Sequence, residues 1–326
     1  MKKVAIIATG GTIASRYKPE QEEVTVGASS DFFRELATSR LPEIPVTTSD
    51  FAGIGSYMMS LNQAFELVQA IGKFLADDAV SGVVVTHGTD TLEETAYMAD
   101  LLLDSDKPVV FTGAQKAADD PESDGPRNVL DAIRVAASDA ARGIGVLVVF
   151  DQEIHAARDV TKTHTSQLGT FQSAEHGKLG EVDQGQVVLH RRPLVRASFK
   201  CSAIEPRIDI IKLAMGADSR FIDCALASGT RGLVIEAFGR GNVTPDVLEG
   251  VKRAVAAGVA VVVTSRCPRG RVAPIYGLSG GVGLARAGAQ FAGDLSGIKA
   301  RILLSVLLGE GGDEAPLAEA LGRVAA

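Results

Sequence analysis

Ala8-Thr9-Gly10-Gly11-Thr12-Ile13-Ala14 follows the apolar run Val4-Ala5-Ile6-Ile7 and breaks it with two glycines and two threonines. A buried strand that ends this way delivers its side chains to the rim of a sheet. Glycines there let backbone N–H groups approach a ligand closely, with a hydroxyl beside them. In open α/β sheets ligands bind at the carboxyl ends of strands near a topological switch point. Thr12 is therefore the first candidate for a reacting group. A second stretch repeats the design: Val83-Val84-Val85-Thr86 leads into His87-Gly88-Thr89-Asp90-Thr91 and then a helical segment, Leu92 to Leu103.

Outward from these two stretches, strands and helices alternate. Phe32 to Ala37 reads as a helix and Val46 to Thr48 as a short strand. Ser60-Leu61-Asn62-Gln63 has capping-box form, and Leu61, Phe65, Val68, Ile71 and Leu75 then recur at helical spacing. A strand at Pro108 to Thr112, a helix from Asn128 to Ala141 and a strand at Gly145 to Phe150 complete a βαβ series. It predicts a mainly parallel sheet with helices on both faces. Asp151 to Arg192 dissolves into short polar pieces, with a hairpin at Val182 to Leu189. Alternation resumes with strands at Ile208 to Leu213, Leu233 to Ala237 and Val259 to Ser265, and helices at Arg220 to Ala227, after Thr244-Pro245-Asp246, and at Ala300 to Leu308. The glycine-rich stretch Gly277 to Gly293 has no assignable period. The expected fold is α/β: a larger Rossmann-like or flavodoxin-like domain over residues 1–190, a linker over 191–207, and a smaller α/β domain over 208–326.

Composition narrows the function. The chain has 326 residues, 46% hydrophobic and 22% charged, as in a soluble globular enzyme. A net charge of −7 argues against a nucleic-acid partner, because phosphate contacts need a basic face. No apolar run approaches the roughly 20 residues of a spanning helix. Met1 to Ile7 imitates a signal peptide only faintly, and cleavage after it would endanger Thr12, so it reads as a strand of a cytoplasmic protein. Cys201, Cys224 and Cys267 show no paired spacing and read as reduced packing residues. His87, His155, His164, His176 and His190 make no metal-ligand spacing; His87 reads as structural, and His164 is the other one to watch. Gly10-Gly11-Thr12 is neither a dinucleotide fingerprint nor a P-loop.

Taken alone, each chemical candidate has an ordinary explanation. Threonine is common at strand ends, and an unactivated hydroxyl is a weak nucleophile. Asp90 would serve as a helix N-cap, with Glu93 completing a capping box, although that leaves Thr89 unexplained. Lys162 would be a surface lysine.

The motifs T-G-G-T-I-A and H-G-T-D-T, in this order, resemble the bacterial-type asparaginase/glutaminase family. The likeness continues through Ser123-Asp124-Gly125-Pro126, Asp159-Val160-Thr161-Lys162-Thr163, Gly239 to Asn242 and Lys299-Ala300-Arg301, and thins after about residue 190. The resemblance implies hydrolysis of L-asparagine to L-aspartate and ammonia without a cofactor or metal, in a homo-oligomer built from intimate dimers, often a tetramer. It makes Thr12 the nucleophile that forms an acyl-enzyme, with Thr89, Asp90 and Lys162 as the second polar set. Backbone N–H groups around Gly11 and Thr89 would hold the oxyanion. Ser56 matches the serine that binds the substrate α-carboxylate, Asp90 the residue that pairs with its α-amino group, and Asn242 a supporting polar residue from the second domain. Lys162 is in tension: a carboxylate neighbour keeps a lysine charged, whereas a base must be neutral, so it serves either as a proton relay or as a fixed positive charge. The polar stretch Ser15 to Gly27 matches the family's mobile flap.

The chain departs from the family in three places. Val24 stands where many members have a flap tyrosine, leaving Tyr17 as a substitute. Tyr57 and Met58 replace the glutamine and aspartate that follow the binding serine. No acidic residue lies between Arg266 and Gln290, where the periplasmic branch places a glutamate. These departures keep two rivals open: a glutaminase or ω-amidase acting on another small carboxylated amide, and a non-catalytic amino-acid sensor.

Overall fold

The computed structural model describes residues 2–18, 23–26, 30–310 and 317–325, with the backbone alone at 16–18 and 23–26. The chain divides into two compact units, Met1–Leu194 and Val195–Ala326.

The first unit runs β1 (Lys3–Gly10), β2 (Ser15–Lys18), β3 (Glu23–Val26), α1 (Ser30–Arg40), β4 (Val46–Ile54), α2 (Leu61–Leu75), β5 (Val80–Thr86), α3 (Leu92–Leu102), β6 (Val109–Thr112), α4 (Gly125–Ala137) and β7 (Val146–Phe150). It continues through β8 (Glu153–Ala156), β9 (Thr161–Lys162), β10 (Phe171–Gln172), β11 (Gly180–Asp183) and β12 (Gln186–Leu189). The main sheet has the order β12-β11-β8-β7-β6-β5-β1-β4. From β4 to β7 every neighbouring pair is parallel, and β8, β11 and β12 add an antiparallel margin.

The apolar runs form strands because both faces are covered. Val4, Ile6 and Ala8 of β1, with Val84 of β5 and Val110 of β6, pack under Phe33 and Ala37 of α1 and Val129, Ala132 and Ile133 of α4. The alternate residues Ala5 and Ile7 are equally buried, on the face where α2 and α3 lie against each other. The parallel strands thus stand in the spatial order 4-1-5-6-7. This is the flavodoxin-like doubly wound arrangement, whose switch point falls between β1 and β5.

Three crossovers share one hand and the fourth has the other. The chain moves toward β4 through α1 on one face, and toward β5 and β6 through α2 and α3 on the opposite face, which is the same hand. It then moves on to β7 through α4 on the face of α1, reversing that hand. Since parallel crossovers are right-handed in about 98% of cases, β6–α4–β7 is the left-handed one.

Several boundaries differ from the sequence expectation. The strand expected at Val46 to Thr48 extends to Ile54, because it pairs along β1 as far as Gly10. The helix expected from Asn128 to Ala141 begins at Gly125 with Pro126 in its first turn; it ends at Ala137, where Ser138 is extended, and Asp139–Ala141 is a separate 3₁₀ turn. In α2 the capping box of Ser60 and Gln63 forms, but the buried stripe is Ala64, Leu67, Val68 and Ile71, with Leu61, Phe65 and Leu75 half-buried beside it. β8, β9 and β10 lie in the stretch that showed no period, each too short to display one. The hairpin is β11–β12, turning at Gln184 and Gly185, both at positive φ.

The second unit holds a parallel sheet in the order β13 (Ile208–Lys212), β14 (Gly232–Ala237), β15 (Ala260–Ser265) and β16 (Gln290–Phe291). Its helices are α5 (Arg220–Ala227), α6 (Pro245–Ala256), α7 (Gly281–Arg286), α8 (Gly297–Leu307) and α9 (Leu317–Val324). Thr244 caps α6 by accepting the Val247 N–H, with Pro245 first in the helix. The unassigned glycine-rich stretch supplies α7 and β16, and α8 starts three residues earlier than expected. Among the described residues no helix is long and apolar enough to cross a membrane.

Candidate active site at the carboxyl ends of β1 and β5

β1 and β5 are parallel neighbours with Ala8 opposite Thr86, so the segments that leave them emerge side by side at the switch point. Gly10 and Gly11 turn the chain there at φ 103° and 80°. A Cβ on Gly11 would lie 2.4 Å from the Gly88 Cα, and one on Gly88 would lie 2.7 Å from the Ser56 Oγ. Three segments therefore touch through atoms that only glycine leaves exposed. Beyond Gly11 a 3₁₀ turn, Thr12–Ala14, holds Thr12 half-buried above the buried Ile13. The Gly11 carbonyl fastens this turn by accepting the Ala14 N–H at 3.0 Å and the Ser15 hydroxyl at 2.8 Å. The Gly11 N–H donates to the Ile54 carbonyl at 3.1 Å. For the N–H groups of Thr12 and Thr89 no acceptor is found among the described residues.

His87 sets the direction of one of those donors. It is fully buried, and burial pushes its pKa down to about 4, so the ring is neutral at ordinary pH. Its Nδ1 lies 2.8 Å from the Gly88 carbonyl, an acceptor only, which places the ring proton on Nδ1. The Gly88 carbonyl and the Thr89 N–H belong to one planar trans peptide and point oppositely. With the carbonyl held by His87, the N–H faces away from the ring.

Thr89, Asp90 and Lys162 come together. The Lys162 Nζ donates to the Thr89 Oγ1 and to the Asp90 Oδ1, each at 2.8 Å. Thr89 is buried, the Lys162 side chain is 16% exposed and that of Asp90 57%. Lys162 is thus no surface lysine. Nor is Asp90 the cap of α3: Thr91 occupies the N-cap without a side-chain cap bond, so the expected capping box with Glu93 does not form.

Ser56 is 3% exposed and opens a 3₁₀ turn; its carbonyl accepts the Thr91 hydroxyl at 2.9 Å and its Oγ lies 3.4 Å from the Thr91 N. Tyr57, next in that turn, is 73% exposed. β2 and β3 form an antiparallel ladder that sets Tyr17 opposite Val24; the side chain of Tyr17, the rest of the expected flap at 19–22 and Gly27 lie outside the described residues. Asn242 belongs to the second unit, where its backbone bridges Phe238 and its Oδ1 is buried without a partner among the described residues. His164 serves its own loop, its Nδ1 accepting the N–H groups of Ser166 and Gln167.

Two residues support the site in ways the sequence did not indicate. Asp124, 5% exposed, accepts the N–H groups of Gln115 and Lys116 and the Asn128 side-chain amide. Asn128 also reaches the Gly113 carbonyl and accepts the Asp151 N–H, so this pair fixes the loops leaving β6 and β7. The loop after β6 joins the Thr12 segment where the Ala118 N–H donates to the Ser15 carbonyl at 2.9 Å. The second support is Glu93. In the sequence Asp124 was visible only within the stretch S-D-G-P, and Glu93 only as half of a capping box with Asp90.

Comparison with known proteins gives the same direction. The family model described as "Asparaginase, N-terminal" matches residues 3–195, and that described as "Glutaminase/Asparaginase C-terminal domain" matches residues 207–321. An L-asparaginase of Bacillus licheniformis is 38% identical over 310 residues, covering 94% of this chain and 95% of that protein. A glutamyl-tRNA(Gln) amidotransferase chain of Methanosarcina acetivorans is 33% identical over 286 residues, covering 83% of this chain and 66% of that one. The crystal structure of a probable cytoplasmic L-asparaginase from Campylobacter jejuni superposes with a TM-score of 0.88 at 29% identity, covering 99% of this chain and all of that one. With both family regions matched along nearly its whole length, and with the two glycine–threonine turns meeting at the switch point of its sheet, the chain belongs to the asparaginase family.

Proposed function

We propose that the chain is an L-asparaginase-type amidohydrolase that converts L-asparagine and water to L-aspartate and ammonia through an acyl-enzyme on Thr12. The observation that carries this reading is the Lys162 ammonium held 2.8 Å from both the Thr89 Oγ1 and the Asp90 Oδ1, beside the Thr12 turn. The Thr12 Oγ attacks the side-chain amide carbon, and the carbonyl electrons move onto its oxygen. The Thr12 and Thr89 N–H groups receive that charge, a role in which each donor contributes about 10²–10³ in rate. With its oxygen engaged by Lys162, Thr89 relays a proton: it takes up the one that Thr12 gives up and passes its own to the departing nitrogen, while Lys162 stabilises the negative charge that develops on its oxygen between the two transfers. Ammonia leaves, water attacks the ester and Thr12 is regenerated. Lys162 acts here as a fixed positive charge, the role its ion pair with Asp90 favours over that of a base.

Ser56 would hold the substrate α-carboxylate and Asp90 its α-amino group, with Gly11 supplying the close approach, Tyr57 at the rim and Asn242 as a supporting residue. Tyr17, opposite Val24 in the hairpin, would take the part of the flap tyrosine. We further read the protein as a cytoplasmic homo-oligomer, a dimer or tetramer, which light scattering on the purified protein tests.

The exposed Tyr57 favours one alternative within the same chemistry, a different small carboxylated amide as the preferred substrate. Ammonia release from L-asparagine, L-glutamine and their D-isomers, on wild type and Thr12→Ala, separates the readings. Release from L-asparagine that Thr12→Ala abolishes is expected. Thr12-dependent release from another amide would keep the mechanism and change the substrate. Ligand binding without release from any amide would make the chain a sensor.

A further inference from the structure

The shortest strands in the first unit carry one of its most important side chains. β9 consists of Thr161 and Lys162 alone, paired with the equally short β10 by Lys162 opposite Phe171 and Thr161 opposite Gln172. So short a ladder specifies its register weakly. Yet Lys162 must deliver its ammonium to two oxygens at 2.8 Å. Something other than the ladder has to hold its backbone.

Glu93 meets that need. It lies in the first turn of α3 and is 5% exposed. Its Oε1 accepts the Lys162 backbone N–H at 3.1 Å and the Thr161 hydroxyl at 3.0 Å. Its Oε2 is buried and takes no hydrogen bond among the described residues. A carboxylate at a helix start would ordinarily turn to the free N–H groups of its own helix or to water. Here it is turned onto the neighbouring strand and kept out of water, at the desolvation cost such a group carries. Both ends of Lys162 are consequently fastened to one short stretch of chain: its Nζ to Thr89 and Asp90, its backbone to Glu93 a single helical turn later.

We propose that Glu93 is a positioning residue, fixing the backbone of Lys162 so that its ammonium stays on Thr89 and Asp90. Glu93 touches none of the reacting groups. It acts through Lys162, and the proposal rests on the hydrolytic reading of the site for its kinetic consequence. A misplacement of about 1 Å in a reacting constellation costs on the order of 10²-fold in rate. Glu93→Ala is therefore expected to lower kcat by about 10–100-fold while KM stays within about twofold, since no substrate contact is removed. Glu93→Gln keeps a carbonyl oxygen able to accept both bonds and is expected to restore most of kcat. Thr161→Val removes only the hydroxyl donor and is expected to give a smaller loss in the same direction, which keeps the test open if Glu93→Ala folds poorly.

The second readout needs no activity. The folded proteins are treated briefly with an amine-acylating reagent, and modification of Lys162 is followed by peptide mass spectrometry. Lys162 should react several-fold faster in Glu93→Ala than in wild type, and at the wild-type rate in Glu93→Gln. An unchanged rate in Glu93→Ala overturns the proposal, as does a loss of kcat that glutamine does not restore or that comes with a matching rise in KM. Should wild type release no ammonia from any amide, the hydrolytic reading falls, and the labelling rates alone decide whether Glu93 positions Lys162.

Discussion

At the scale of single residues, the site depends on close approach as much as on functional groups. Gly11 adopts φ 80° and ψ −179°, and a methyl group there would meet the Gly88 backbone at 2.4 Å. Neither the conformation nor the contact can relax without moving the turn that carries Thr12. Gly11→Ala is expected to cost about 2 kcal/mol or more in stability and to abolish ammonia release; a variant that melts and turns over like wild type would refute the packing argument. The residues quoted for the family resemblance, Thr12, Thr89, Asp90 and Lys162, were legible because each stands in a short local motif. Glu93 was not. Beside Asp90 it looked like half of a capping box, and its true partners, Thr161 and Lys162, lie 68 and 69 positions along the chain. Local pattern cannot reveal a hydrogen bond of that span.

At the scale of elements, helix starts were read best where capping chemistry is local. Ser60 accepts the Gln63 N–H at 3.3 Å, and the Gln63 Oε1 accepts the Ser60 N–H at 2.9 Å, closing the box the sequence suggested. Ser60→Ala should lower stability by about 1 kcal/mol, read from urea unfolding, with kcat unchanged; a neutral result would mean that packing of Ala64, Leu67, Val68 and Ile71 holds the helix alone. α3 shows the opposite case. Its start is governed by the Thr91 hydroxyl on the Ser56 carbonyl and by the engagement of Asp90 with Lys162, so the expected cap was displaced by tertiary partners. The extension of β4 to Ile54 has the same origin, since pairing with β1 continues past the apolar residues that signalled the strand.

At the scale of the whole molecule, two buried histidines give stability a pH dependence. Burial is the leading cause that lowers His87 and His155 from 6.5 to about 4, and around His155 the carboxylate of Glu153 opposes the shift while Lys178 and Arg191 add to it. The unfolded chain therefore binds more protons than the folded one between these values. The stabilisation is complete above pH 6.5 and is lost as pH falls through about 4. For His87, at ~1.4 kcal/mol per tenfold in proton affinity, the loss is about 3 kcal/mol. Melting temperature is expected to fall steadily from pH 7 to pH 4, and His87→Gln to flatten that slope; a flat wild-type profile between pH 6.5 and 5 would contradict the assignment. By itself the sequence determined the α/β class, the parallel strands and the two turns that carry Thr12 and Thr89, because buried strands and glycine-rich turns are written in adjacent residues. Only the tertiary structure decided that α4 crosses with the opposite hand, that Lys162 rather than solvent completes Thr89 and Asp90, and that Glu93 fastens Lys162. These depend on which face a helix takes and on contacts between residues far apart in the chain, and hydrophobic periodicity is the same whichever face is chosen.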